Sequence, residues 1–327
     1  MSTRRSLILF SAIALVVGIF GIVYTFAPQL GLGRSPLIAS ILPARNIVMF
    51  ATLAIALAAG VVAAFIRKVK VMAALVMIML VALGTANFAI VVFHGIRQDH
   101  TSGSSQRTLR VFEWNTNGAL VRASAIAAIA TRARPDVIVL PDVGTPRSAG
   151  AVWSELAHRG QSFVLFMADQ PGAQVAVLIR AALAGSYTAV PGPDPIKTLE
   201  LTSDSGPTIL ALHAAKPIPH QMSAWRQDLA WVTRFCAASP RVIVSGDFNS
   251  TVDNFGGNRL GRCIDSASAV GSASVGTWPT SLAAILGMPI DHTLVTVAAG
   301  TTVSWMALTD DDRSGARHRP TLTVIRQ

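Results

Sequence analysis

The pattern of apolar and polar positions changes character within the first hundred residues. Leu7 to Ala27, Ile47 to Ile66 and Val71 to Phe93 are apolar runs without a charged residue. Each is close to the ~20 residues that cross a bilayer core. Three such runs so close together ask for a larger core than a soluble domain offers. The pattern predicts three transmembrane helices, at 7–27, 47–66 and 71–93, in a membrane domain over 1–97. The first run is too long for a signal-sequence core, and two more spans follow it. Gln98 to Thr108 (QDHTSGSSQRT) is polar and Ser/Thr-rich, and reads as a flexible linker over 98–108.

From residue 109 the period shortens. Short apolar runs bounded by turn residues alternate with amphipathic stretches. Strands are predicted at Leu109–Trp114, Asp136–Leu140, Phe163–Met167, Gln174–Ile179, Thr208–Leu212, from Val242, at Thr293–Val297 and at Leu322–Ile325. Helices are predicted at Val121–Arg134, where Pro135 stops the run, at Ala151–His158 and at Met222–Cys236. The pattern describes an α/β or α+β domain over 109–327.

Charge refines this picture. The chain has 327 residues and a formal net charge of +10, with a mean hydropathy of +0.50. Residues 1–100 hold eight Lys/Arg against one acid, which leaves a balance of +3 for the rest. That domain has no large basic face for gripping a polyanion, so nucleic acid is not the favoured partner. The basic residues also orient the spans. Arg4 and Arg5 precede the first, and Arg67, Lys68 and Lys70 fill the loop between the second and third, whereas the longer loop from Gln29 to Asn46 holds only Arg34 and Arg45. The positive-inside bias puts the N-terminus in the cytoplasm and the C-terminal domain outside, in a multi-pass cell-membrane protein. Cys236 and Cys263 are the two cysteines, and in that compartment they read either as a disulfide or as two buried thiols.

The chemistry-bearing positions sit at predicted strand ends. Val242-Ile-Val-Ser-Gly-Asp-Phe-Asn-Ser-Thr251 delivers Asp247 and Asn249 onto a tight turn beyond a buried strand. Taken alone, Gly-Asp-x-Asn is also ordinary turn chemistry. Other strand ends carry Asn115, Asp142, His213, Asp291 (in Pro289-Ile-Asp-His292) and His318 (in Arg317-His-Arg-Pro320), and Gly276-Thr-Trp-Pro279 lies between. Hard oxygen donors of this kind suit magnesium, manganese or calcium.

Taken in order from Arg107 to Gln327, these motifs resemble the endonuclease/exonuclease/phosphatase family, metal-dependent phosphoesterases with the deoxyribonuclease-I-like fold. The resemblance implies a four-layer sandwich of two mainly antiparallel sheets flanked by helices. By the same resemblance Asn115, Asp142 and Asp247 form the metal site. Asp247 orients or deprotonates the attacking water, Asn249 holds a phosphate oxygen or the water, His213 donates a hydrogen bond to the phosphate, and Asp291 pairs with His318. Two departures stand out. Asp142 stands where the family has a Glu, one methylene longer. Arg317 stands where it has an Asp, so it offers the phosphate a counter-charge, or turns outward while Asp310, Asp311 or Asp312 reaches in, or marks a site that no longer turns over. The implied activity is hydrolysis of a phosphodiester or phosphomonoester on an envelope lipid, nucleotide or nucleic acid. The competing reading is a non-catalytic domain of the same fold that binds a phosphorylated ligand or a partner. Asn117, Asp253, Trp278 and His292 read as turn or packing residues.

Overall fold

The computed structural model describes residues 3–98, 107–257 and 259–327, with side chains left undescribed at 3–10 and 312–314. Most of the linker expected over 98–108 therefore lies outside the described residues. Four helices come first: α1 (Thr3–Thr25), α2 (Pro36–Ile41), α3 (Arg45–Phe65) and α4 (Lys70–His94). Two segments, Pro36–Phe65 and Arg67–His94, are long and apolar enough to cross a membrane. The described apolar part of the first helix, Ser11–Thr25, is shorter, so three spans are not shown as clearly as the sequence pattern suggested. Small residues let these helices approach closely: a Cβ on Gly84 would stand 2.5 Å from a Leu53 methyl carbon.

The remainder folds as β1 (Thr108–Glu113), α5 (Ala123–Ala133), β2 (Val137–Leu140), α6 (Pro146–His158), β3 (Phe163–Met167), β4 (Ala176–Arg180), α7 (Ala181–Ala184), β5 (Tyr187–Pro191), β6 (Thr198–Ser203), β7 (Thr208–His213), α8 (Met222–Ala238), β8 (Val242–Asp247), α9 (Val252–Phe255), β9 (Arg259–Leu260), β10 (Cys263–Asp265), α10 (Ser266–Ala269), β11 (Asp291–Thr296), β12 (Thr301–Ala307) and β13 (Thr321–Arg326). Two sheets result, in the orders β12-β13-β1-β2-β4-β3 and β5-β6-β7-β8-β11-β10-β9. Each is antiparallel except for one parallel pair, β1 with β2 and β7 with β8.

Period-two alternation sorts the side chains into layers. Leu109, Val111, Val137 and Val139 meet Ile209, Ala211, Ile243 and Val295 between the sheets. Phe112, Trp114, Ile138 and Leu140 face α5 and α6 on one outside. Leu210, Leu212, Val242 and Val244 face α8 on the other. The order is helices, sheet, sheet, helix, which agrees with the expected four layers. Cys236 and Cys263 form a disulfide joining α8 to β10.

Three departures from the sequence pattern have local causes. α6 starts at Pro146 rather than Ala151, because Thr145 accepts a hydrogen bond from the Ser148 amide (3.1 Å) and Pro146 suits the first turn. β5 is largely exposed, and β12 runs from exposed Thr301 and Val303 to buried Ser304, Trp305 and Ala307, so no regular alternation announces them. The pattern also does not announce that Arg34 and Arg45, read above as outer-loop charges, dock the domain. Arg34 Nε donates to the Asn254 carbonyl (3.1 Å), and Arg45 is buried against Asp253.

Candidate active site

The inter-sheet face runs from apolar to polar along the strands. Ile243, Ser245 and Asp247 succeed one another on β8, and Val295, Thr293 and Asp291 on β11. Ser245 and Thr293 hydrogen-bond at 3.0 Å in the middle of this column. Beyond them the same alternation brings His213 from β7 and Glu113 and Asn115 from β1 to one end of the sandwich.

Asp247 is the hub. It is buried, and Asn115 Nδ2 donates to its Oδ2 at 2.9 Å from the opposite sheet. The Asn249 amide donates to its Oδ1 at 2.8 Å. His213 Nε2 stands 3.7 Å and His318 Nε2 4.0 Å from Oδ2. Asp291 is its direct cross-strand partner. Burial, and then the Asp291 charge, push the Asp247 carboxyl above the usual range, against the pull of His318, His213 and the Asn249 amide.

Asp291 holds His318, whose Nδ1 lies 2.9 Å from Oδ2 and 3.1 Å from Oδ1. Burial works against the charged imidazole, yet Asp291, aided by Asp247 and Asp142, outweighs it and holds His318 above the usual histidine range. The loop carrying His318 is fixed from several sides. Trp114 Nε1 donates to the His318 carbonyl (2.8 Å), Thr280 Oγ1 donates to the Ala316 carbonyl (2.7 Å), and the Arg319 guanidinium donates to the carbonyls of Gly276, Pro279 and Leu282. Thr277 Oγ1 in turn accepts from the Ile290 and Asp291 amides, each at 3.2 Å. The Gly276-Thr-Trp-Pro motif thus braces the Asp291–His318 pair, and the Trp278 ring lies 6.4 Å from the His318 ring.

The structure brings Asn115, His213, Asp247, Asn249, Asp291 and His318 together. Asn249 Nδ2 donates to the Ala214 carbonyl (2.9 Å), tying the β8 turn to the β7 turn. Asp142 follows β2 with left-handed backbone (φ 52°), its carbonyl accepting from Gly118 N and Thr116 Oγ1. Arg317 is exposed, and among the described residues it makes no ion pair and no side-chain hydrogen bond. It does not plug the site. Asp311 pairs instead with Arg132 at 2.7 Å.

One residue escaped the sequence reading. Glu113 is fully buried, accepts from Thr321 Oγ1 (3.0 Å), and leaves Oε1 without a partner. Burial first, then Asp291 and Asp247, raise its carboxyl well above the usual range. The available signal was a lone acid on the inward row of Leu109, Val111 and Glu113.

The donor set suits a divalent cation. One donor atom from each of Asp247, Asp291 and His318 lies within 4.8 Å of the other two. The Asp142 carboxylate is only partly buried, with no hydrogen-bond or ion-pair partner among the described residues. Asn115 Oδ1 accepts from the Asn117 amide (2.8 Å) and keeps a second lone pair. A cavity of about 820 Å³ at the opposite strand ends, lined by Arg107, Arg180, Arg241 and Arg326, lies far from this chemistry.

A family model for the endonuclease/exonuclease/phosphatase family matches residues 112–311. The chain belongs to this family. Among solved structures, the fold of this family member is similar to a humanized TDP2 of D. rerio, at 16% identity and a TM-score of 0.53, over 67% of this chain and 99% of that one. It is similar to an endonuclease/exonuclease/phosphatase from Beutenbergia cavernae, at 20% identity and a TM-score of 0.53, over 68% and 72%. It is also similar to an AP endonuclease from Archaeoglobus fulgidus, at 12% identity and a TM-score of 0.52, over 67% and 100%. No curated protein sequence matches it. Members of the family hydrolyse phosphate esters with a divalent metal.

Proposed function

We propose that this chain is a membrane-anchored, outward-facing phosphoesterase that hydrolyses a phosphodiester or phosphomonoester by direct attack of water. The observation that carries this reading is the meeting of Asn115, His213, Asp247, Asp291 and His318 at one end of the inter-sheet face. Asp142, Asn115 and Asp247 would hold the cation (magnesium, manganese or calcium), which would neutralise the non-bridging phosphate oxygens. Asp247, its basicity raised by burial and by Asp291, takes a proton from the attacking water. The water oxygen bonds to phosphorus, the ester P–O bond breaks, and the departing oxygen takes a proton from the His318 imidazolium and leaves as an alcohol. His318, held charged by Asp291, and His213 face the phosphate oxygens.

The anchor consists of α1 together with α3 and α4, crossing the membrane three times. The disulfide and the basic Arg67–Lys70 turn at the far end of α3 and α4 both favour an extracytoplasmic domain. Arg317 makes no ion pair with Asp142 or Asp247, which removes the specific support for a site blocked by protein.

The test is turnover of bis(4-nitrophenyl) phosphate and 4-nitrophenyl phosphate by the purified full chain, with each metal and with chelator. Turnover that needs metal and vanishes in Asp247→Ala is expected. Equal turnover in Asp247→Ala, or none under any metal, overturns the reading.

A further inference from the structure

The loops that leave the site run directly into the membrane helices. Four residues after Asn249, Asp253 receives Arg45 Nε at 2.7 Å, and the next residue, Asn254, donates to the Gly33 carbonyl at 2.8 Å. Four residues after His213, the Pro217 carbonyl accepts from Ser40 Oγ. Three residues before Thr277, the Ser274 carbonyl accepts from Asn46 Nδ2 at 2.8 Å and its hydroxyl donates to the Val91 carbonyl at 2.9 Å. An extended chain covers at most ~3.3–3.6 Å per residue, so three separate loops hold the site within about 10–15 Å of the helix ends.

The helix ends meet in a built polar junction. Arg45, at the first turn of α3, pairs with Asp253, donates to Asn87 Oδ1 of α4 at 2.6 Å, and lies over the Tyr24 ring of α1. Asn87 Nδ2 donates to Thr25 Oγ1 at 2.9 Å. A buried cation at a helix N-terminus opposes the helix dipole and is costly unless compensated. Here the domain's own Asp253 compensates it. The domain is therefore clamped to the helices rather than hung from a tether. Around the junction, large apolar side chains stay exposed: Leu30 55%, Leu37 66%, Phe93 87% and Ile96 50%. Such a collar belongs in the apolar layer of a membrane, which places the bilayer surface at the docking face. The headgroup layer adds only about 5–8 Å per leaflet, half the difference between ~30 Å of hydrocarbon and ~40–45 Å in all.

We propose that the Arg45–Asp253 junction holds the site at the bilayer surface, so that its substrate is a phosphate ester carried on a lipid of the same leaflet, taken from the plane of the membrane. The proposal rests on the phosphoesterase reading. The nearly balanced net charge of the domain agrees with it, and the arginine-lined cavity lies at the strand ends opposite the site.

The experiment uses the full chain in vesicles made from the total polar lipid of the source membrane, with the stimulating metal. Loss of lipid phosphate esters in the same vesicles is compared with hydrolysis of bis(4-nitrophenyl) phosphate in solution. Arg45→Met and the milder Asn46→Ala are measured alongside, with circular dichroism to confirm folding. Cleavage of lipid esters is expected, falling roughly tenfold or more in Arg45→Met, as misplacement of a site costs, while the soluble ester is cleaved within about twofold of the parent rate. Turnover of the soluble ester with the lipids left intact overturns the lipid proposal and leaves the phosphoesterase reading standing. So does lipid cleavage that folded Arg45→Met and Asn46→Ala leave unchanged. Absence of turnover on both kinds of ester overturns the phosphoesterase reading and the proposal with it.

Discussion

Asp291 lies directly opposite Asp247 in the register of β8 and β11, and both carboxylates are buried on the face between the sheets. Two like charges opposite one another destabilise a strand pair. The fold keeps them because His318 binds Asp291 and stands near Asp247, while Asn115 and the Asn249 amide donate to Asp247. The arrangement makes Asp247 a stronger base and His318 a more persistent acid than either would be alone.

Asp291→Asn separates these roles. The variant leaves His318 without its orienting carboxylate and relieves Asp247 of a like charge. Turnover should fall by about 10²–10⁴-fold, the usual worth of a positioned acid or base. The thermal midpoint should fall, because the buried His318 imidazole loses its paired carboxylate. A variant that keeps its turnover within a few fold would show that the pair serves the fold alone.

Glu113 allows a sharper test, because burial and its two acidic neighbours push its carboxyl toward the neutral form. Glu113→Gln keeps the shape and a hydrogen-bond acceptor for Thr321, so stability should change by no more than about 1 kcal/mol and turnover should hardly change. Glu113→Ala removes the acceptor and opens a cavity, and should cost about 2–4 kcal/mol. A large loss of turnover in Glu113→Gln would mean that the carboxyl carries a charge the present geometry does not account for.

How much was legible follows from the same residues. Asp247, Asp291, His213 and His318 were found because each ends or adjoins a short apolar strand, and a rigid strand end is a place where polar residues are kept for chemistry. Glu113 was passed over because strand alternation says which face a residue takes, not which residues share that face across two sheets. Asp253 was read as a turn residue, and its partner Arg45 lies 208 positions away, before α3. Local pattern does not reach such a pair. β5 shows no alternation because it is largely exposed, and β12 shows none because one end is exposed and the other buried.

His292, next to Asp291 but facing outward, supplies a pH prediction. Its Nδ1 lies 2.7 Å from Asp265 Oδ1 and its Nε2 lies 2.8 Å from the Ser250 carbonyl, so both nitrogens face acceptors. Burial disfavours the charged ring, but Asp265 by charge and hydrogen bond prevails, and the imidazole is raised above its usual value. A raised folded-state value stabilises fully below the unfolded value of about 6.5 and is lost as pH climbs through the folded value. The stability advantage of the parent over His292→Gln should therefore shrink from mildly acidic to alkaline pH in denaturant titrations. An advantage that grows with pH would contradict the charged bridge.

Arg317 decides whether the departure from the family pattern changed the site or ended its activity. The family places an Asp here, close to the metal. In this chain the position is exposed, and the neighbouring backbone is held without help from the side chain, because the Thr280 amide donates to the Arg317 carbonyl (3.0 Å) and Thr280 Oγ1 donates to that of Ala316. Arg317→Ala should therefore fold as the parent does. A guanidinium at the rim of a phosphate site attracts substrate before and during reaction alike, so its loss should raise KM several-fold and leave kcat within about threefold, the signature of uniform binding. Arg317→Asp brings back a carboxylate next to His318 in the chain. If the parent site is active as built, this charge reversal repels the phosphate and raises KM further than Arg317→Ala does. If instead Arg317→Asp turns over faster than the parent at saturating substrate, the arginine has silenced an otherwise intact site, and the natural chain binds its phosphate ester without cutting it.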